Sequence, residues 1–510
     1  MKLNRRNFLF GSAAAATLAG CSTSKTGLRE LKPGEKIRVG VIGCGIQMRN
    51  ALFAQMLGKD PYCKLDGKIK IVACCDCDKD RREDAAQRVD AAYNEKGVCK
   101  AVADFRDVLT DPSIDAVVIA TPDHWHAYMC VEAMKHGKDV YCEKPLTFSP
   151  EESKLVIAAQ KKYGRVFQTG SMQRSYDVFR TAVMIVRNGG IGDIKYVDAN
   201  YGIGGKKLGG PSHPLRFFDN PVNAATEGAA NGNVDWDMWL GPARWRPYSD
   251  QLAPRGVNKF YPMFWRFDDD IGTGYNGDWG AHHLDIAQWG LNKDESGPYK
   301  IIRSDEPYST DLYHGARRQY GMKMLFSSPT GDVELYHGPF GVWGTVFYGT
   351  DGIVAVNRGK IAVWKGTGLV KPTKEIRAAL QDVSFMKDKI VAESVGKDYG
   401  TDAVLKKDNR LDAALTLLKE KFALEKAKVQ LYKSPNQIQN FFECVLSREQ
   451  TISPAEVGGR GAVLCQLCNM SYVYDTGFDW NPEKMEFANG TGDPSWLKRA
   501  VYRKGWQIVV

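Results

Sequence analysis

No apolar run after the first twenty residues approaches the length needed to span a membrane, so the body of the chain is expected to be soluble. Lys and Arg are scattered and their excess is mild, a formal +9 over 510 residues, which excludes the basic patch that tracks a nucleic-acid backbone. The twelve cysteines lack the spacing of a zinc ribbon or finger. Cys465 and Cys468 form a lone C-x-x-C in a helical-looking stretch, and Cys74, Cys75 and Cys77 surround a buried-strand pattern; all five read as small buried hydrophobes. There is no internal repeat, and low complexity is confined to "STSKTGLRELKPGEK", a flexible spacer. What is present is a chain 43% hydrophobic and long enough for two or more domains.

The beginning is distinctive. In "LNRRNFLFGSAAAATLAGC", Arg5 and Arg6 precede a small-residue apolar run from Gly11 to Gly20, too short for a spanning helix, which reads as a twin-arginine export signal. Leu18-Ala19-Gly20-Cys21 resembles a lipobox. The expectation is a signal peptide over 1–20, a mature chain that begins at an acylated Cys21, a tether over 21–35, and an exported, periplasmic protein held to a membrane by lipid.

"KIRVGVIGCGIQMRNALFAQML" then gives a β-branched run ending at Ile42, a turn on Gly43-Cys44-Gly45, and helix formers from Ile46 and Gln47 onward. A strand, glycine turn and helix place a pyrophosphate on a helix N-terminus. Met48 stands where the third glycine of G-x-G-x-x-G is usual, which implies looser packing of helix on strand. "IKIVACCDCD" ends in Asp76, a carboxylate placed to accept both hydroxyls of an adenine ribose. Its distance from Gly45 exceeds the usual interval of about 20 residues, and a loop around "GKDPYCKLDGK" takes up the excess. Asp78 adds a second negative charge with no arginine beside it, so a 2'-phosphate would be repelled and NAD is expected rather than NADP. Strands at Ala116 to Ala120, Asp139 to Cys142 and Val166 to Thr169 alternate with helical stretches, the doubly wound parallel pattern.

"TPDHWHA" and, after the next strand, "EKPLT" resemble the paired T-P-x-x-x-H and E-K-P motifs of the Gfo/Idh/MocA family, named for glucose-fructose oxidoreductase, inositol dehydrogenase and a rhizopine-catabolism protein. The family's D-x-G-x-H-x-x-D helix start is matched by Asp278, Gly280, His282 and Asp285. The resemblance covers nearly all of 36–510. It implies a Rossmann domain over 36–171 and, over 172–510, an α+β domain with a large, mostly antiparallel open sheet. It also implies a homo-oligomer, dimer or tetramer. The Lys/Glu-rich stretch 367–435 reads as a helical surface insertion. The resemblance assigns Thr121, Pro122, His124, His126, Glu143 and Lys144 to the cofactor, beside Gly43, Gly45, Ile46, Gln47 and Asp76, and makes Lys144, Asp278 and His282 the catalytic group.

The chemistry agrees. Oxidising a secondary alcohol needs a base for the hydroxyl proton, and Asp278 and His282, four apart, share a helix face. His282 is the expected base and Lys144 the orienting donor that polarises the hydroxyl, although these roles can be exchanged. His283 points elsewhere, toward packing. A metal site from Asp278, His282 and Asp285 stays open as the alternative to a metal-free one. Aromatics and arginines in "SMQRSYDVFR", "WDMWLGPARWRPY" and "YPMFWRF" suit a sugar pocket but suit a core equally, so only Gln173 and Arg174, with Asp285, are named for substrate.

Export of a folded protein suits one that must carry NAD with it. Outside the inner membrane, reduced cofactor has no obvious pool to exchange with, so a closed cycle is expected. Three functions fit: an oxidoreductase acting on a sugar, glycoside or polyol with retained NAD; a redox-neutral glycosidase or lyase working through a keto intermediate; and a non-catalytic carbohydrate-binding lipoprotein. The E-K-P triplet favours the first, and the intact Lys144, Asp278 and His282 weigh against the third.

Overall fold

The computed structural model describes residues 34–65, 67–201, 233–249, 252–254, 256–257, 264–307, 320–338, 341–381, 389–393, 409–499 and 502–510. The signal stretch and Cys21 lie outside the described residues.

Six strands form the first sheet: β1 (Ile37–Ile42), β2 (Ile69–Cys75), β3 (Lys100–Val102), β4 (Ala116–Ile119), β5 (Asp139–Cys142) and β6 (Phe167–Thr169). Their order is β3-β2-β1-β4-β5-β6 and every pairing is parallel. Strands β4 and β5 are buried at every position, as a sheet covered on both faces requires. The order reverses between β1 and β4, and a crevice opens there beyond the strand ends. Asp78 caps the helix Lys79–Tyr93, and Ser149 caps Pro150–Tyr163, which starts on its proline and stops at Gly164 in the left-handed region.

The helix after the glycine turn winds as a π-helix over Gln47–Leu52 before becoming α-helical over Phe53–Met56. Met48 is fully buried among Val39, Val41 and Ile71. The wider winding falls where this larger side chain stands in place of the usual third glycine.

Ten strands form the second sheet: β7 (Ile194–Asn200), β8 (Lys300–Pro307), β9 (Tyr320–Phe326), β10 (Val333–Gly338), β11 (Thr345–Gly349), β12 (Gly352–Asn357), β13 (Lys360–Lys365), β14 (Lys389–Glu393), β15 (Phe478–Asn481) and β16 (Glu486–Phe487). The order is β14-β13-β12-β11-β7-β10-β9-β8-β15-β16, antiparallel except for β7 with β10. Alternation sends Val354 and Val356 of β12 into the main core, beneath the helices Asp177–Arg187 and Ala281–Gly290. Ile353 and Ala355 join Trp343, Trp364 and Leu380 on the opposite face.

Two expectations about organisation change. The stretch 367–435 holds the helices Lys374–Ala379 and Asn409–Lys421 but also the strand β14, which extends the sheet. Its Leu411, Leu415 and Leu418 form a buried stripe in the main core, so it is not a surface insertion; the Lys and Glu residues that suggested one dominate its composition but not its inner face. The first domain is likewise not confined to 36–171. The helix Gln437–Ser447 sends Ile438, Phe441, Phe442 and Val445 into that domain's core, and Gln168 donates to the Gln437 carbonyl at 2.6 Å. Among the described residues no helix is long and apolar enough to cross a membrane.

Candidate active site

A single cleft runs from the glycine turn across the ends of β4 and β5 to the helix start at Asp278. Gly43, Gly45, Ile46, Gln47, Asp76, Thr121, Pro122, Glu143, Lys144, Asp278 and His282 all line it. Gly43 has φ +86°, and a Cβ there would lie 2.6 Å from the Ala120 carbonyl oxygen, so only glycine lets β1 turn this close to β4. At Gly45 the nearest atom to an added Cβ is Arg81 Nη1 at 4.0 Å. That open space beside bare backbone fits a pyrophosphate. Asp76 accepts from Cys44 N at 2.8 Å and from Asp78 N at 2.9 Å, which ties the glycine turn to the end of β2 and leaves the carboxylate at the cleft wall.

The surroundings of Asp78 correct one step of the sequence argument. Arg81 stands three residues on, its Nε 3.3 Å from Asp78 Oδ2, and it lines the cleft. Asp78 itself caps the helix through Asp80 N and Arg81 N. An arginine thus adjoins Asp78 across one helical turn, and preference for an unphosphorylated ribose falls to Asp76 alone.

His124 and His126 do not line the cleft; Asp123 and Trp125, on the neighbouring faces of the helix Asp123–Lys135, do. The His126 ring lies between the Thr121 and Pro145 carbonyl oxygens at 2.9 and 2.7 Å, so it joins the T-P turn to the E-K-P turn from behind. His124 Nε2 lies 3.1 Å from the Trp239 carbonyl oxygen.

At the far end, Lys144 Nζ donates to Asp278 Oδ1 at 2.5 Å and to the Asp278 carbonyl at 2.9 Å. Arg266 Nε lies 3.4 Å from Asp278 Oδ2. Burial alone would raise the Asp278 pKa, but Arg266 and Lys144 outweigh it and bring it down to about 2. His282 is pushed well below the usual imidazole range by burial, then by the Arg358 and Lys144 charges, so its ring is neutral at physiological pH. Its Nδ1 is buried without a hydrogen-bond partner among the described residues. Glu143 turns toward Gln47 Nε2 and the Tyr141 hydroxyl, and burial raises its pKa against the pull of Lys144. His283 stacks on Trp279 outside the cleft, as packing requires.

The three residues named for substrate serve elsewhere. Arg174 makes paired 2.8 Å bonds to the two carboxylate oxygens of Asp285 and also binds Asp294, in a network where Arg174 and Asp285 are 1% and 2% exposed. Gln173 donates to the His282 carbonyl and accepts from Arg358 Nε, so it positions two cleft residues without lining the cleft itself. With Asp285 taken by Arg174, the trio Asp278, His282 and Asp285 does not converge on a metal. Sequence reasoning missed Arg358, on the turn between β12 and β13, and placed no weight on Arg266 individually; both line the cleft, with Trp239 and Trp265. The aromatic segments quoted above were the available signal for Trp239, Trp265 and Arg266. For Arg358 there was none beyond a glycine-containing turn.

The dinucleotide half of the cleft has a cover. Residues 233–235 run antiparallel to 77–79: Lys79 N donates to Asn233 O at 2.6 Å, Asp235 N to Cys77 O at 3.1 Å, and Asp78 bridges Val234. Met238, Trp239, Leu252, Ala253 and Pro254 then lie across the cleft, and Arg81 Nη2 donates to the Pro254 carbonyl at 2.9 Å. Trp125 joins this cover, its Nε1 donating to the Trp239 carbonyl at 3.0 Å, and is backed by Trp506 at 4.9 Å between ring centroids.

Residues 37–171 match the family described as "Oxidoreductase family, NAD-binding Rossmann fold" (GFO_IDH_MocA), and residues 219–323 match its C-terminal alpha/beta domain. A scyllo-inositol 2-dehydrogenase (NAD(+)) of Bacillus subtilis is 39% identical over 21% of this chain and 31% of its own length. A glycosyl hydrolase family 109 protein of Shewanella pealeana is 28% identical over 48% of this chain and 55% of its own. These alignments thus span well short of the relatives' full lengths. A levoglucosan dehydrogenase solved with NADH and levoglucosan shares the fold, with TM-score 0.53 and 16% identity over 88% of this chain and all of that one. Both domain matches, in this order along one chain, are to models of the Gfo/Idh/MocA oxidoreductase family, and the first of them marks residues 37–171 as an NAD-binding Rossmann domain.

Proposed function

We propose that the protein oxidises a secondary hydroxyl of a sugar, glycoside or polyol and keeps its NAD bound between turnovers, a second, carbonyl-bearing sugar taking the hydride back to regenerate NAD. The observation that carries this reading is the convergence of Lys144, Asp278 and His282 on the cleft that begins at Gly43 and Gly45. Bound NAD supplies the hydride acceptor. Asp278, held ionised, fixes the Lys144 ammonium at the wall, where that charge lowers the pKa of a substrate hydroxyl. The neutral His282 ring accepts the hydroxyl proton; a weak base suffices because the hydroxyl has been acidified beside it. Trp239 and Trp265 offer flat apolar faces to pyranose CH groups. Retention is supported by the cover formed by residues 233–239 and 252–254, which the cofactor would have to displace in order to leave.

The test is mass spectrometry of the denatured, purified protein for released NAD, followed by a sugar panel monitored at the absorbance of reduced nicotinamide. Protein that copurifies with no nucleotide and reduces none would end the proposal. Redox-neutral cleavage of a glycoside is the second reading, favoured by the 272-residue alignment with the glycosyl hydrolase family 109 protein. Product analysis separates the two: a keto sugar with reduced NAD, or a cleaved glycoside with NAD unchanged.

Export on the twin-arginine signal and acylation of Cys21 belong to the same proposal, as does assembly into a dimer or tetramer. Replacing Arg5 and Arg6 with Lys should leave holoprotein in the cytoplasm, read by fractionation, and Cys21→Ala should abolish palmitate incorporation. Wild-type protein found unacylated and cytoplasmic would overturn the closed-cycle argument.

A further inference from the structure

The residues that cover the dinucleotide half of the cleft belong to a unit with a core of its own. Trp236, Leu240, Tyr248, Leu252, Ala253 and Ile271 pack together, apart from the cores of the two sheets. Asp270, beside Ile271, accepts from Arg244 N at 2.5 Å within the same unit. A unit whose apolar contacts are internal can lift without losing them, so its closure depends on what ties it to the body. On one side the ties are the backbone bonds to residues 77–79 and the Arg81 bond to Pro254. On the other side they come from far along the chain. Arg499, 4% exposed, donates through Nη1 to the Asp270 carbonyl at 2.8 Å. Its Nε lies 3.5 Å from Glu152 Oε1 and its guanidinium lies over the Phe148 ring at 4.2 Å, so it joins the covering unit to the helix Pro150–Tyr163. The Tyr502 hydroxyl donates to the same Glu152 oxygen at 2.9 Å, and Arg503 N donates to the Pro242 carbonyl at 3.3 Å. The Trp506 ring then meets Trp125 at 4.9 Å, Tyr128 at 5.3 Å and Phe105 at 6.4 Å between centroids. Phe105 and Trp125 line the cleft, and Trp125 carries the bond to the Trp239 carbonyl of the cover.

Resting on the reading that NAD is retained beneath this cover, we infer that Arg499 and Trp506 form its latch and set, with the Arg81 side, the rate at which the dinucleotide leaves. Neither residue lines the cleft, so retention is controlled by groups that touch neither the nucleotide nor the reacting atoms. Trp506 backs the ring whose Nε1 holds the cover; without that edge-on neighbour Trp125 is free to turn, and its bond to Trp239 opens more often. Arg499 spans two bodies with one planar group, which a shorter or non-planar cation cannot do. The ion pair of Arg503 with Asp237 adds little, because Asp237 is exposed.

The experiment follows NAD leaving the full chain. Holoprotein is incubated with an NAD glycohydrolase, which destroys nucleotide once it is released, and the NAD still bound is counted by mass spectrometry after denaturation. Trp506→Ala and Arg499→Lys should each speed the loss about 10-fold, the factor that about 1.4 kcal/mol gives, and should raise hydrogen exchange in peptides from 233–249. Leu415→Ala is the control: its helix packs on β14 and on Asp177–Arg187, so it should lower stability and leave NAD loss at the wild-type rate. NAD loss unchanged in the folded Trp506→Ala and Arg499→Lys proteins, or raised equally in Leu415→Ala, would overturn the inference. Should Trp506→Ala fail to fold, Trp506→Phe, which keeps a smaller ring, replaces it and should still release NAD faster than wild type. Wild-type protein that copurifies with no NAD ends the retention reading alone. The latch is then read from the release of added NADH by fluorescence, where equal rates in wild type and variants would sink it as well.

Discussion

The parallel sheet supplies its share of the cleft from the ends of its strands: Gly43 and Gly45 follow β1, Asp76 follows β2, Thr121 and Pro122 follow β4, and Glu143 and Lys144 follow β5. The ten-stranded sheet works otherwise. From it Arg358, on one hairpin turn, reaches the cleft, while Asp278 and His282 come from a helix start and Trp239, Trp265 and Arg266 from the long connection between β7 and β8. In the first domain the cofactor groups are local in sequence because each sits on its own strand–helix turn. In the second, the groups that line the cleft meet only through packing between distant segments.

The comparison is most sharply tested at Lys144, where the two domains touch. Lys144→Met keeps the stem and removes the charge, and should lower turnover by about 10²–10⁴-fold while bound NAD, measured after denaturation, stays stoichiometric. Full activity would detach the strand-end motif from the chemistry. Next comes the buried pair behind the helix Ala281–Gly290: Asp285→Ala leaves Arg174 with Asp294 alone and should cost about 3–5 kcal/mol in denaturant unfolding, with an unchanged KM. A raised KM with full stability would return these residues to substrate binding. Asp76→Ala removes a strand-end group and should weaken NAD by about 1.5–3 kcal/mol, read by equilibrium dialysis. Arg81→Met, which cuts the link to Pro254, should speed NAD loss by a smaller factor during repeated desalting.

The last test changes pH and leaves the sequence alone. His124, His282, His283 and His337 are all buried with pKa values held below the usual range by burial, those of His283 and His337 down to about 3. In the unfolded chain each takes up a proton as pH falls through about 6.5; in the folded protein it does not. The unfolded state then binds more protons, so stability should fall on acidification below about pH 6.5, and for His283 and His337 the fall should continue toward about pH 3. Denaturant midpoints that stay flat between pH 7 and 5 would show that these rings protonate in place.

The same contrast explains what could be read in advance. A glycine turn after a β-branched run and Asp76 at a strand end are each fixed by a local geometry, so they were legible; Lys144 was legible through the resemblance of its E-K-P motif to the family's. Arg174 was legible as unusual but not as an ion pair, because Asp285 lies 111 residues away and a buried arginine looks alike whether it meets a side chain or a ligand. Arg81 was misjudged for a nearer reason: three positions are remote along a strand but adjacent on a helix, and the helix begins at Lys79. His124 and His126 show the reverse error, in which the right motif was credited to the wrong faces of Asp123–Lys135.

The helix Gln437–Ser447, which fills the core of the first domain, bears on when that domain can be finished. Gln168 waits for a partner 269 residues downstream, and the Lys64 amide for one 375 residues away. On a ribosome adding roughly 5–20 residues per second, that delay is on the order of tens of seconds. Throughout it the nascent first sheet lacks Phe441 and Phe442, and its apolar flank is open to chaperones and to other nascent chains. Uptake of NAD into a completed cleft therefore belongs after synthesis, not during it.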